Sequence, residues 1–256
     1  RHLPRRDQQP RAALLFGALL AAWPVGRVAA QEAPAYDRYS VLWLAYFGDH
    51  QVAPRLALIP DVQMRTVDFG TEAQQLLLRA GMLYDLGPGV RAGGGYALIT
   101  TFDYGEFTPE GTSLEHRAWQ QLNMSLRPGT VAILNRVRLE QRWIGNEVPG
   151  TDDRDWTFQW RARYLLRAAV PLRGQGGGRG DLYAFGQDEV FVRWGTSQPT
   201  NLFDQNRLQL GLGVHLAGTL RLEASYFNLV LLRGDGSRRE VGNGLVLALF
   251  SSAAFR

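Results

Sequence analysis

The sequence has no cysteine and no lysine, and only three methionines and four histidines among its 256 residues. Without cysteine there is no disulfide framework, no thiolate metal site and no cysteine nucleophile. The fold must therefore be held by packing and hydrogen bonds. Without lysine there is no Lys-rich polybasic arm, and all 28 basic residues are arginine. Long apolar runs are also missing. The longest, Ala12 to Trp23, is about a dozen residues, short of the roughly 20 a membrane-crossing helix needs. What is present, 45% hydrophobic and 20% charged residues with 29 glycines and 12 prolines, is the composition of a folded chain and excludes disorder.

The first thirty residues read as a secretory leader. Basic Arg1, Arg5, Arg6 and Arg11 precede the apolar run, and Val28-Ala29-Ala30 supplies the small residues of a signal-peptidase site, with cleavage expected after Ala30. The formal net charge of +4 belongs to this leader, which holds five of the 28 basic residues and one of the 24 acidic ones. The chain from Gln31 onward is neutral. Nucleic-acid binding rests on excess positive charge facing phosphates, so it loses its support, and no nucleic-acid partner is expected.

Residues 31–256 read as one domain made of segments of about 10 to 15 residues with period-two alternation. In Val131 to Trp143, the apolar Val131, Ile133, Val137, Leu139 and Trp143 share one face, while Arg136, Arg138, Glu140 and Arg142 share the other. Trp156 to Val170 repeats the pattern, with Arg161, Arg163 and Arg167 opposite Trp160, Tyr164 and Leu166. A charge at every second position is a strand face, because a helix would scatter these side chains around its axis. The other segments are Ser40–Phe47, Arg55–Thr66, Gln74–Asp85, Val90–Phe102, Leu114–Leu126, Leu182–Trp194, Phe203–His215, Leu220–Leu231 and Gly244–Phe250. These eleven segments fit an all-β, antiparallel up-and-down transmembrane barrel of 10 to 12 strands, with an even number expected of a bacterial barrel. Short turns (Leu86–Gly89, Arg127–Gly129, Ala217–Gly218) alternate with longer polar connections (Asp103–Ser113, Gly145–Arg154, Arg233–Asn243), as in outer-membrane barrels. The Gly-rich stretch Gly174–Gly180 lacks the Lys-Ser/Thr ending of a phosphate cradle and reads as a turn.

Alternation alone does not say which face points inward. Strands this long match the roughly 9 to 11 residues of a tilted membrane strand. Trp143, Trp156, Tyr84, Trp194 and Phe250 lie near the ends of apolar stripes, where interfacial girdles sit. In this membrane reading the lumen is lined by Asp61, Gln63, Arg65, Arg79, Arg91, Glu115, Arg117, Arg136, Arg138, Glu140, Arg142, Arg161, Arg163, Arg167, Glu189, Arg193, Arg207, Arg221 and Glu223. Such a set can form a filled structural lattice, since arginine's planar fork bridges several acceptors, or a narrow passage that favours anions.

Catalysis finds little footing. His50 falls in a polar turn and His215 at a strand end, neither with ligand-spaced neighbours, so no metal or other cofactor is expected. His116 falls by parity on the outer face, where a membrane acyl hydrolase would work. Ser125 and Ser225 fall on the inner one, and no nucleophile-elbow motif is present. The expectation is a non-enzymatic barrel in the Gram-negative outer membrane, with the lipid bilayer and the barrel-assembly machinery as partners. The alternatives are a soluble periplasmic barrel binding an apolar ligand and an acyl hydrolase using His116.

Several short motifs in order, Gln75-Leu-Leu-Leu-Arg79, Gly93-Gly-Gly-Tyr96, Glu115-His-Arg117 with Trp119-Gln-Gln121, Arg136-Val-Arg-Leu-Glu-Gln-Arg142, Arg161-Ala-Arg-Tyr164 and Gln205-Asn-Arg207, resemble the bacterial family known as domain of unknown function 2490. The resemblance runs from Tyr39 to about Phe250 and implies an outer-membrane β-barrel. It implies no activity, substrate or catalytic residue.

Overall fold

Eleven staves close into a barrel in the computed structural model, which describes residues 35–106, 111–174, 177–195, 202–233 and 237–254. The expected leader, residues 1–30, lies outside the described residues. In chain order the strands are β1 (Ala35–Gly48), β2 (His50–Ala53), β3 (Leu56–Leu58), β4 (Asp61–Val67), β5 (Glu72–Gly87), β6 (Val90–Thr101), β7 (Ser113–Leu126), β8 (Ala132–Glu147), β9 (Arg154–Arg173), β10 (Leu182–Gly195), β11 (Phe203–Ala217), β12 (Leu220–Arg233) and β13 (Arg238–Ser251). β1 and β4 to β13 form the staves, each hydrogen-bonded to two neighbours. The short β2–β3 hairpin extends one edge, with β3 continuing the pairing along β5.

Up-and-down connections make consecutive staves antiparallel, and an odd number then forces one parallel pair. That pair is β1 with β13, in register from Ala35↔Arg238 to Gly48↔Ser251. The even count expected of a bacterial barrel is overturned, while the eleven segments read from alternation stand. The barrel consequently begins, at Ala35, and ends, at Ser251, at opposite rims. One rim carries the turns after β5, β7, β9 and β11. The other carries the connections after β4, β6, β8, β10 and β12.

Several boundaries differ from the sequence reading. Residues 238–243, expected in a long loop, belong to β13, because β12 and β1 hydrogen-bond them from both sides. Pairing overrides their turn-like composition. Residues 55–66 do not form one strand: Ile59 and Pro60 separate β3 from β4, as proline cannot donate to a ladder. His50 is not in the polar turn expected for it. It is a buried residue of β2 whose Nδ1 lies 2.7 Å from the Ala253 carbonyl and whose Nε2 lies 2.9 Å from the Tyr46 hydroxyl.

Alternation sends large apolar side chains to the outside of the barrel. Leu44, Leu78, Met82, Leu210, Leu212 and Leu245 are exposed on the outer face. Trp143, Phe158, Trp160 and Trp194 pack in a row towards the rim of the longer connections, with ring centroids 5.3 to 6.3 Å apart. Phe250 does not join such a girdle. It faces the lumen, stacked on Phe47 at 4.9 Å.

Inside, the wall is asymmetric. Val41, Trp43, Phe227, Leu229, Val246 and Ala248 make an apolar patch across β1, β12 and β13, with Trp43 and Phe227 at 4.2 Å. The remaining arc carries the charge. Trp119 also points inward and is buried against β5 and β6. An added Cβ at Gly81 would come within 2.3 Å of its ring, and one at Gly95 within 2.7 Å. Gly81 and Gly95 thus make room for an indole within the wall.

Candidate functional site: the divided lumen

Inward-facing positions on β7 to β11 carry many arginines and fewer acids, and neighbouring staves bring them into contact. Glu140 on β8 is wholly buried. It takes Arg161 at 2.6 Å and Arg163 at 2.8 Å, with Arg117 at 3.6 Å and Arg138 at 3.9 Å. Glu115 is held by Arg117 and Arg142, both at 2.7 Å. Glu189 takes Arg163 at 2.9 Å and Arg136 at 3.0 Å. Arg117, Arg142, Arg161 and Arg163 each span two acceptors, which the planar fork of arginine permits and a lysine would not. Arg142, Glu115, Arg117, Glu140, Arg163, Glu189 and Arg136 thereby form one chain of alternating sign. Nearer the rims, Arg79 meets Asp61 at 3.3 Å. Glu223 is reached by Arg167 at 2.6 Å and Arg221 at 3.6 Å, and Arg161 and Arg193 each meet Asp204 at 3.2 Å.

The side chains do not fill the lumen evenly. A cavity of about 390 Å³ opens towards the short-turn rim and another of about 480 Å³ towards the opposite rim. Trp43, Arg65, Arg163 and Arg207 line both, so these four form a septum between them. Arg65 stacks 4.3 Å over the Trp43 ring, and Arg207 lies 5.1 Å from Trp43 and 4.7 Å from Phe191. Arg163 lies 4.5 Å over Phe191. Cation–π stacking fixes these guanidinium planes. At the far rim of the larger cavity, buried Tyr104 reaches in from the segment after β6. It donates to Glu240 at 3.4 Å and accepts from Arg233 at 3.0 Å. Tyr39 donates to the same carboxylate at 2.9 Å.

Of the lumen residues read from parity, Arg79, Arg136, Arg138, Arg167, Glu189, Arg221 and Glu223 line the smaller cavity, and Glu115, Arg117, Arg142, Arg161 and Arg193 the larger. Arg65, Arg163 and Arg207 belong to both, while Glu140 is sealed within the lattice. Arg91 lines neither. It sits at the short-turn rim, donating to Asp49 at 2.6 Å. Parity missed Asp204, because a register irregularity opposite Phe191 and Val192 places Asp204 and the adjacent Gln205 both on the inner side. Such a bulge breaks period-two counting. Trp43, Trp119 and Phe191 were legible by the same parity as their charged neighbours, but their apolar character pointed the other way.

His116 does lie on the outer face, with its Nδ1 bonded to the Tyr96 hydroxyl and its ring 5.4 Å from Trp156. Ser225 is buried on the inner face, donating to Gln209 at 3.4 Å. The barrel wall separates it from His116.

Fold and site together define a β-barrel with an apolar exterior and an arginine-rich, divided interior. The chain belongs to the family described as "Protein of unknown function (DUF2490)", whose model matches residues 41–239. No curated protein and no solved structure matches it.

Proposed function

We propose that the protein is an integral outer-membrane barrel of a Gram-negative envelope, exported by the leader ending at Ala30, and that its role is structural, with a lumen closed at mid-height. The observation that carries this reading is the inverted polarity of the wall. Leucines such as Leu210 and Leu212 are more than half exposed outside, while Glu140 is fully buried inside. Water would favour the reverse, and lipid favours this arrangement. The short turns then face the periplasm and the longer connections the exterior. Lipid is the partner of the outer face, and the barrel-assembly machinery inserts it. The reading is non-enzymatic: His116 has an aromatic environment, and the Tyr96 hydroxyl occupies its Nδ1.

A second reading, a narrow passive channel, draws support from the two cavities that reach the Trp43–Arg65–Arg163–Arg207 septum from either rim. Planar-bilayer recording separates the two. A closed barrel gives no unitary conductance, whereas a narrow channel gives small anion-selective steps. Partition into the detergent-soluble fraction of outer membranes tests the location. Recovery in the aqueous fraction without detergent would instead favour a soluble periplasmic barrel.

A further inference from the structure

The lattice is not electrically balanced, and the imbalance is concentrated at the septum. Arg161, Arg163, Arg117 and Arg142 all meet carboxylates within 4 Å. Arg65 and Arg207 do not. Arg65 donates only to neutral amide oxygens, to Gln63 at 2.7 and 3.2 Å and to Gln75 at 2.7 Å. Arg207 donates through Nε to Gln205 at 3.2 Å, and its two terminal nitrogens have no protein acceptor among the described residues. Both cations lie against one indole, that of Trp43, and both line the two cavities. Two like charges in a largely buried interior with no carboxylate between them are unfavourable unless an anion joins them.

We infer that the septum is a binding site for a small oxyanion, phosphate- or carboxylate-bearing, held between the guanidinium groups of Arg65 and Arg207 against Trp43. The free edge of Arg207 offers the two parallel donors that such groups accept. Arg163, on the Phe191 side, is committed to Glu140 and Glu189, so the free donors of the septum are those of Arg207. Access runs through the larger cavity, where five lining arginines, Arg117, Arg142, Arg161, Arg193 and Arg233, share four carboxylates, Glu115, Glu140, Asp204 and Glu240. That imbalance concentrates anions ahead of the septum. The inference needs only the closed barrel and its lumen, so it stands or falls separately from the membrane reading.

The test is isothermal titration of the detergent-purified protein with inorganic phosphate, with acetate, and with chloride at matched ionic strength. Saturable binding of phosphate or acetate over chloride is expected, and which of the two binds tells the phosphate-bearing from the carboxylate-bearing class. Arg207→Gln should weaken that binding by about tenfold or more, the size of a lost charge-assisted contact, and Arg207→Lys should restore part of it. Arg55→Gln, at an exposed turn, should leave it unchanged. Without added oxyanion, Arg207→Gln should unfold at the same or a higher temperature than the parent, because it removes an uncompensated charge. Binding no stronger than that of chloride would overturn the proposal. So would an Arg207→Gln barrel that keeps the parent's oxyanion affinity, or one that is less stable in oxyanion-free buffer, which would make the arginine a structural stack alone.

Discussion

Arg163 and Glu140 meet at 2.8 Å on adjacent staves, and the same guanidinium reaches Glu189 at 2.9 Å. Glu140 is therefore the acceptor through which β8 and β9 are tied, with Arg161 and Arg117 on its remaining edges. Removing its charge leaves these arginines buried without it. Glu140→Gln is expected to destabilise the barrel by about 3 to 5 kcal/mol, the cost of breaking a buried pair from one side. A urea titration in lipid vesicles should show this as a lower midpoint at unchanged slope.

Packing of Trp119 makes a second prediction. An added methyl at Gly81 would stand 2.3 Å from the indole and 2.6 Å from the Gly94 carbonyl. Gly81→Ala should cost about 1 to 3 kcal/mol, as overpacking does. Combined with Trp119→Leu, it should cost less than the two single changes added together. Thermal unfolding of the four variants supplies the cycle, and strict additivity would show that the indole does not determine the glycine.

How much of this could be read in advance follows from what period-two alternation encodes. It placed Arg136 to Arg142 and Arg161 to Arg167 on one side of the wall, and they do share the lumen. The long polar face of these strands made that assignment robust. It did not place the aromatic residues of the septum, since an inward Trp43 or Phe191 breaks the rule that apolar side chains face outwards. Cation–π stacking on the arginines takes the place of an apolar surround. Asp204 was lost to a bulge and Glu240 to a run of residues, Arg238 to Asn243, whose strand character comes only from pairing on both sides. The parallel closure of β1 on β13 is a property of the count, and no single segment carries it.

Acid should release one connection before the wall itself. Glu147, half-buried at the end of β8, accepts from the Thr112 amide at 2.8 Å and from the Thr112 hydroxyl, with Arg154 at 3.0 Å. The Thr112 hydrogen bonds hold its carboxyl below the usual glutamate range. A carboxylate depressed in the folded state contributes above the ordinary glutamate pKa, and the contribution is lost as pH falls through the folded value. The segment between β6 and β7 should accordingly exchange its amides faster, and be cut more readily by an acid-active protease, on the acid side of that range. Glu147→Gln should show the fast behaviour at neutral pH already.

The outer face separates lipid from water most directly. Leu210 lies near the middle of β11 and is 54% exposed. In water, Leu210→Arg would put a charge where solvent welcomes it, and surface substitutions of that kind change stability by about 0.5 kcal/mol or less. In a bilayer the same side chain sits near the midplane, where arginine on the lipid face of a barrel costs about 2 to 4 kcal/mol. The comparison with Leu86→Arg at the short-turn rim, where the leucine is equally exposed, controls for loss of the leucine itself, because the penalty falls to about 0 to 1 kcal/mol near the interface. Unfolding of both variants in phospholipid vesicles should give a clear deficit for position 210 and little for position 86. Equal small effects at the two positions would mean that the apolar exterior faces something other than lipid.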